Sequence, residues 1–424
     1  MNTNPQVAHD NYLKIVAGFH FNAKMYLVYS FLNSITWAIF SLVFNLYIYS
    51  LGYHQDFIGL LNAVPSIATM ILGLPVGIAA DRLGYKPFLL TGGILTIVSI
   101  IGFGLGTSSG VLLVFAFLFG CSGALTYVVG APFMMANSRP AERVYLFSIN
   151  FAIEMGANFL GFLLAGALPE IFGQALGLPA KSALPLRWSL LSMVVFLALA
   201  LIPITFIKPN RSATSQVGPL KISRAELGLF ARLLFPTTAI SLGAGAMVTF
   251  FQLFFSLKFR MSTGSIGVLF AFSAVVTALA SLMAPKIAER YGKVRSVVGM
   301  ELASIPFLLV LAFSNNLPLV VGAYYVRSAL MNMGEPIIIT FNMEQVGERH
   351  RATLNSLEAM LGSLGRGGLG PLVSGFLQVR SGFSLAFTFT TLCYIVAAVS
   401  FYLFFRSAEK PLDPARGRNL ACGP

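Results

Sequence analysis

Six ionisable residues interrupt stretches that are otherwise apolar: Glu154, Glu301, Arg327, Glu335, Glu358 and Arg366. At mid-bilayer each would cost ~2.5–3.5 kcal/mol on insertion scales, so each must face a bundle interior and find a partner. A carboxylate held there can take up and release a proton, and an arginine can balance it or anchor an anionic solute. Glu301 and Glu358 fall within two turns of the cytosolic segment ends and are set aside, and Glu154, Glu335 and Arg366 lie deeper. With polar residues at helical spacing they outline a solute site between two halves of the chain: Asn33, Trp37, Asn45, Glu154, Asn158, Gln252, Asn332, Glu335 and Arg366. Either Glu154 or Glu335 is the protonatable group, and Arg366 is its partner or the anchor of a substrate anion. The competing reading is a structural salt bridge such as Glu335–Arg366.

Other chemistry is not supported. Cys121, Cys393 and Cys422 and the four histidines (His9, His20, His54, His350) form no metal-ligand spacing, and no histidine falls within a span. No serine or cysteine has an evident base. No G-x-x-x-x-G-K-[ST] loop is present, so ATP is not an energy source within the chain. Neither an enzyme, a cofactor nor a metal is expected.

The elements that must position these residues follow from composition. Of 424 residues, 56% are hydrophobic and only 10% charged, against about 25% charged in a soluble domain. Too little polar surface remains to coat a soluble globule, so the chain reads as an all-α, multi-pass membrane protein. A span needs ~20 apolar residues, and the length accommodates about twelve. The first half (1–207) holds segments at 22–51, 57–80, 87–106, 110–136, 144–168 and 188–207. A polar linker occupies 208–227. The second half (228–406) holds segments at 228–257, 264–285, 296–314, 317–343, 352–378 and 382–405, before a polar tail at 407–424. In segment 1, Ser30, Ser34, Trp37, Ser41 and Asn45 recur at three- and four-residue steps and share one helix face. Tyr324, Ser328, Asn332 and Glu335 do the same in segment 10. There Gly334 and Pro336 flank Glu335, and the helix is expected to break and open its backbone.

The net charge of +13 is distributed by loop and not gathered into one patch, which argues against nucleic acid. With both termini inside, 21 of the 28 lysines and arginines fall on the inner side and 5 on the outer. That excess fixes the orientation and an even number of spans. No signal peptide is visible.

Between segments 2 and 3 three charges and a turn glycine arrive together: Gly77, Asp81, Arg82, Gly84 and Lys86. The order returns 208 positions later in Glu289, Arg290 and Gly292. Further pairs keep offsets between 204 and 209: Asn45 with Gln252, Gly59 with Gly267, Gly130 and Pro132 with Gly334 and Pro336, and Arg143 with Arg351. Six segments separate the copies, so the halves insert the same way up, related by an axis along the membrane normal. Asp81 at a helix end can accept from the free N–H groups of another helix N-terminus and latch one conformation. Arg82 and Lys86 can anchor at anionic headgroups. Gly84 permits the tight turn, and Gly77 a close helix contact. The plainer alternative is a loop that only sets topology.

This combination resembles the major facilitator superfamily over nearly the whole chain. The family signature G-x-x-x-D-R-x-G-x-[RK] is matched by Gly77, Asp81, Arg82, Gly84 and Lys86, with Tyr85 where the family usually has arginine. The resemblance implies two pseudo-symmetric six-helix bundles and secondary transport of a small solute by alternating access. Segment 4 lacks the family's arginine and segment 5 its Gly-Pro pair, which counts against proton-driven drug antiport; Arg327 and Gly370-Pro371 echo both in the second half. The expectation is an ion-coupled, proton-linked transporter, with efflux ahead of nutrient uptake by a symporter or uniporter. A non-transporting or lipid-handling relative is a further alternative. Its partners are a small-molecule substrate and membrane lipid, and it is a monomer of the plasma (inner) membrane.

Overall fold

The computed structural model describes residues 18–139, 142–208, 224–346 and 348–407. The Asp81 side chain, most of the linker and the tail from 408 lie outside the described residues. Everything regular among the described residues is helical: α1 Phe21–Ser50, α2 Gln55–Leu83, α3 Tyr85–Leu105, α4 Ser109–Ala136, α5 Arg143–Leu176, α6 Ala183–Phe206, α7 Arg224–Val248, α8 Phe251–Lys258, α9 Thr263–Ser281, α10 Ala284–Tyr291, α11 Lys293–Phe313, α12 Leu317–Gln345, α13 Glu348–Ser363, a π-helix Leu364–Leu369 and α14 Gly370–Phe405.

Ten stretches of the described residues are long and apolar enough to cross a bilayer. One of them, Thr353–Phe405, has 53 residues. As a straight helix it would run ~80 Å, more than twice the ~30 Å hydrocarbon core. Its backbone leaves helical geometry at Ser381 and Gly382, the latter at φ 65°, so it supplies two spans. α12 falls short on hydropathy because it carries Arg327, Asn332, Glu335, Asn342 and Glu344. Together these give the expected twelve.

By packing, the chain divides into two compact units, Met1–Leu220 with Thr249–Ala274, and Lys221–Val248 with Val275–Pro424. The sequence boundary at 228 therefore differs from the packing boundary: α8 and most of α9 belong with the first unit. In that unit α1 packs on α5 and α6, α4 on α2 and α3, and α3 on α6. In the second, α7 packs on α13 and α14, α12 on α10 and α11, and α11 on α14. Pairing of the first, fifth and sixth segments, and of the third with the fourth and sixth, thus recurs six segments later.

Small residues carry the closest approaches, as expected where lipid tails supply no hydrophobic drive. A Cβ on Gly267 of α9 would lie 2.5 Å from the Phe162 carbonyl and 2.8 Å from the Gly166 Cα of α5. Beside this contact the Thr263 hydroxyl donates to Glu170 Oε1 at 3.1 Å. Burial lowers the neighbouring Lys181 ammonium from its ordinary range, and the Glu170 carboxylate opposes that shift. In the second unit a Cβ on Gly245 of α7 would lie 2.4 Å from the Arg366 carbonyl.

Candidate functional site

Glu154 sits on α5 facing α1. Its Oε1 accepts from the Ser30 hydroxyl at 2.9 Å and from Asn150 Nδ2 at 2.7 Å. Asn150 is one turn earlier on the same helix, so the i, i+4 spacing read from sequence is a real bond; Ser30 is buried on the α1 stripe. Oε2 receives no hydrogen bond among the described residues, and the side chain is only half-buried. Tyr26 lies within electrostatic reach of the carboxylate, and its hydroxyl fills a notch at Gly130, where a Cβ would come within 2.4 Å. Asn33 and Asn158 flank this centre, partly exposed. Trp37, two turns along the stripe from Ser30, is 58% exposed and stacks on buried Phe40 at 6.0 Å. The stripe is therefore not uniformly interior: Ser30 and Asn45 are buried, and Trp37 is presented on the surface of the unit.

A second polar centre of the first unit was only half legible. Segment 7 is not continuous: it breaks after Val248 into α7 and α8. The break frees the Thr249 carbonyl, which accepts from Asn45 Nδ2 at 2.7 Å and Gln252 Nε2 at 2.9 Å. Asn62 Nδ2 donates to Asn45 Oδ1 at 2.9 Å. Asn45 and Gln252 meet around a main-chain oxygen that the sequence did not mark. A broken span lined by amide side chains is the kind of place where membrane proteins tolerate open backbone.

In the second unit the competing structural salt bridge does not form among the described residues. Glu335 and Arg366 are exposed, and no ion pair joins them among the described residues. Nor does α12 break at Gly334-Glu335-Pro336; it runs unbroken through Pro336. A proline in a spanning helix forfeits one bond, here the one to the Asn332 carbonyl, and spanning helices tolerate that loss; the Thr340 hydroxyl donates to the Pro336 carbonyl at 2.8 Å. Asn332, also exposed, donates to the Ser328 carbonyl at 2.8 Å. Arg366 lies on the π-helix, whose Gly365 and Gly368 are buried while the arginine is exposed. The buried cation is Arg327, 4% exposed, which donates to the Tyr394 hydroxyl and lies 5.6 Å from its ring centre. Glu301, set aside in sequence as near a segment end, is only 5% exposed, with Oε2 unbonded among the described residues. Glu358 accepts from Asn342 Nδ2.

The fold matches known carriers. A bacterial homolog to the human lysosomal transporter Spinster, inward-facing and unoccupied, superposes with a TM-score of 0.76 at 17% identity, covering 91% of this chain and 96% of that one. The nucleoside transporter NupG superposes at 0.73 and 15% identity, covering 91% and 99%. The sequence model of the Major Facilitator Superfamily matches residues 26–257 and 233–421. The chain belongs to this superfamily. Among members of it, the chain is 24% identical over 349 residues to the quinolone resistance protein NorA of Staphylococcus aureus (strain MSSA476), spanning 79% of this chain and 84% of that protein. It is 26% identical over 397 residues to an uncharacterized MFS-type transporter, YxaM, of Bacillus subtilis (strain 168), spanning 88% and 94%.

The superfamily's signature loop and its second copy share one backbone. Gly84 has φ 84° and ψ 160°, Gly292 φ 85° and ψ 159°, and each N–H bonds the carbonyl four residues back, at 2.9 and 3.0 Å. Positive φ with extended ψ is open to glycine and costly to other residues. Lys86 does not reach outward as expected. Its Nζ donates to the Thr205 and Ile207 carbonyls at 2.6 and 2.7 Å, satisfying the orphan acceptors at the end of α6. Gly77 is no close contact either, since a Cβ there would sit 3.6 Å from Val128, an ordinary distance. Arg82, Glu289 and Arg290 are exposed, Arg290 lying over the Tyr291 ring at 5.3 Å. The latch expected of Asp81 falls on a side chain outside the described residues.

Proposed function

We propose that this superfamily member is a proton-coupled exporter of small hydrophobic or amphipathic solutes, working by alternating access, with Glu154 as the group that takes up and releases the proton. The observation that carries this is the asymmetry of the carboxylate. Ser30 and Asn150 hold Oε1, so the group stays in place when its charge changes, while Oε2 is left open to a proton. Trp37, exposed on the same helix face and backed by Phe40, offers an aromatic surface to the solute. Export is supported by similarity to a protein named for quinolone resistance. The protein is read as a monomer of the plasma membrane, and the inner excess of lysine and arginine supports both termini in the cytosol.

The test is accumulation of a panel of fluorescent and aromatic solutes in proteoliposomes, with and without an imposed pH gradient. Glu154→Gln is expected to abolish gradient-driven accumulation, down to protein-free vesicles, while retaining solute counterflow. Undiminished accumulation by Glu154→Gln removes Glu154 from the coupling role. Gradient-independent flux of nucleosides or other nutrients would favour uptake by the same fold.

A further inference from the structure

Two buried amides are left half-satisfied in the same way. Asn150 of α5 is 7% exposed and Asn342 of α12 is 0% exposed. Each spends its Nδ2 on a carboxylate: Asn150 donates to Glu154 Oε1 at 2.7 Å, and Asn342 donates to Glu358 Oε1 of α13. Each keeps its own Oδ1 shut away from water with no donor among the described residues. Buried carbonyl oxygens are bonded as a rule, so an orphan calls for a reason. Glu358 is half-buried, and its Oε2, like that of Glu154, accepts nothing among the described residues.

An ionised carboxylate only accepts, so it can do nothing for an orphan acceptor beside it. A protonated carboxyl has one O–H to give. With a proton on Oε2, Glu358 accepts from Asn342 Nδ2 and donates to Asn342 Oδ1, which closes an acid–amide pair of two bonds. The terminal torsion of a glutamate is broad enough to align the two planes. A hard cation would instead want about six oxygen ligands, and this pair offers two. Nor is the arrangement a copy of the first. Asn150 and Glu154 are one turn apart on one helix, whereas Asn342 and Glu358 join two helices. At the repeat offset of 208, Glu358 stands where the first half has Asn150, and Gly362 where it has Glu154. The chemistry recurs while the residues trade places.

α13 packs on α7, α12 and the π-helix. Of their charged groups, Arg232 of α7, Glu335 and Glu344 of α12 and Arg366 of the π-helix are exposed, and Glu344 is paired with Lys293. Arg327 of α12 is engaged with Tyr394, and His350 of α13 lies against Phe230 at 6.4 Å. The side chains of Arg224, Glu226, Glu348, Arg349 and Arg351 lie outside the described residues. No ion pair reaches Glu358 among the described residues.

We infer that Glu358 is a second proton-binding site, whose protonated carboxyl closes a two-bond pair with Asn342, and that the carrier moves two protons per solute. The proton comes from water at the half-buried carboxyl and returns to it. The site stands on its own hydrogen bonds; the count of two rests on the coupling role proposed for Glu154.

The experiment is infrared difference spectroscopy, acid minus alkaline, of the full-length protein in sodium-free proteoliposomes. A protonated-carboxyl C=O band is expected that Glu358→Gln removes and that Asn342→Ala moves to higher wavenumber, as loss of a hydrogen bond does. A different band should vanish in Glu154→Gln. Glu358→Gln preserves both bonds, its amide donating to Asn342 Oδ1 and accepting from Nδ2, so its elution profile and solute counterflow should match the wild type. With the membrane potential clamped at zero and a pH gradient of about one unit, its limiting accumulation should fall from about 100-fold to about tenfold. A spectrum unchanged by Glu358→Gln, or a band indifferent to Asn342→Ala, overturns the assignment. So does a sodium-induced change at fixed pH that Glu358→Gln abolishes, which would make this a sodium site. Undiminished limiting accumulation in Glu358→Gln overturns the count of two protons. Loss of the Glu358 band with every band kept in Glu154→Gln would sink the role of Glu154 and leave this site standing.

Discussion

A carboxylate in a membrane span is useful only if it can change charge without moving its neighbours. Glu154 meets that requirement with one oxygen held and one open. Glu335 has no such support: it is exposed and bonded to nothing among the described residues, so Glu335→Gln is expected to retain gradient-driven accumulation where Glu154→Gln loses it. The Tyr26 hydroxyl, set into Gly130, holds one wall of the centre. Gly130→Ala forces a methyl against a rigid ring and is expected to cost ~1–3 kcal/mol, as overpacking does. A lowered thermal midpoint in detergent, with reduced transport, is the outcome to look for. Residue types made Glu154 legible as a candidate, and the four-residue step to Asn150 was plain. Ser30 is 124 positions away, and no spacing rule reaches that far. Arg327 shows the same limit from the other side: sequence placed it in a span but not on the buried face.

At the scale of elements, glycine does what the sequence suggested in some places and not in others. Gly84 and Gly292 were readable because each closes a charged loop, and their matched dihedrals bear that out. The α5–α9 contact was not, since the sequence matched Gly267 to Gly59 and gave no sign that it meets Gly166. Gly267→Val is expected to drive the helices apart, costing ~1–3 kcal/mol by overpacking. The thermal midpoint should fall, with Gly322→Val, where a Cβ meets open space, as the neutral comparison. The break after Val248 carries no proline or glycine to announce it. It is marked instead by what gathers on the released carbonyl, Asn45 and Gln252, and only the folded chain brings those together. At Glu335 the reverse holds: glycine and proline were both present, and the helix runs on.

Taken whole, the molecule shows its ancestry through pairing more than through residue identity. The association of segments one, five and six recurs as seven, eleven and twelve, which the constant offset near 208 foretold. Twelve spans were legible because length and apolarity decide them, although α12 falls short of the others in hydropathy. The signature loop acts at this scale. Asp81→Asn is expected to lower transport while expression and membrane insertion stay near normal. Should insertion fail instead, measured by membrane yield, the loop serves topology alone.

The stretch Thr249–Ala274 is encoded with the second half and packed with the first. Sequence order and packing therefore assign this arm to different halves. Two polypeptides, 1–220 and 221–424, made separately would each be incomplete: the first without the acceptor for Asn45, the second with an arm lacking its groove. Made in one cell, they are expected to find each other and co-purify, and to carry solute with no covalent link. The linker would then be a convenience of synthesis, and the arm the true fastening.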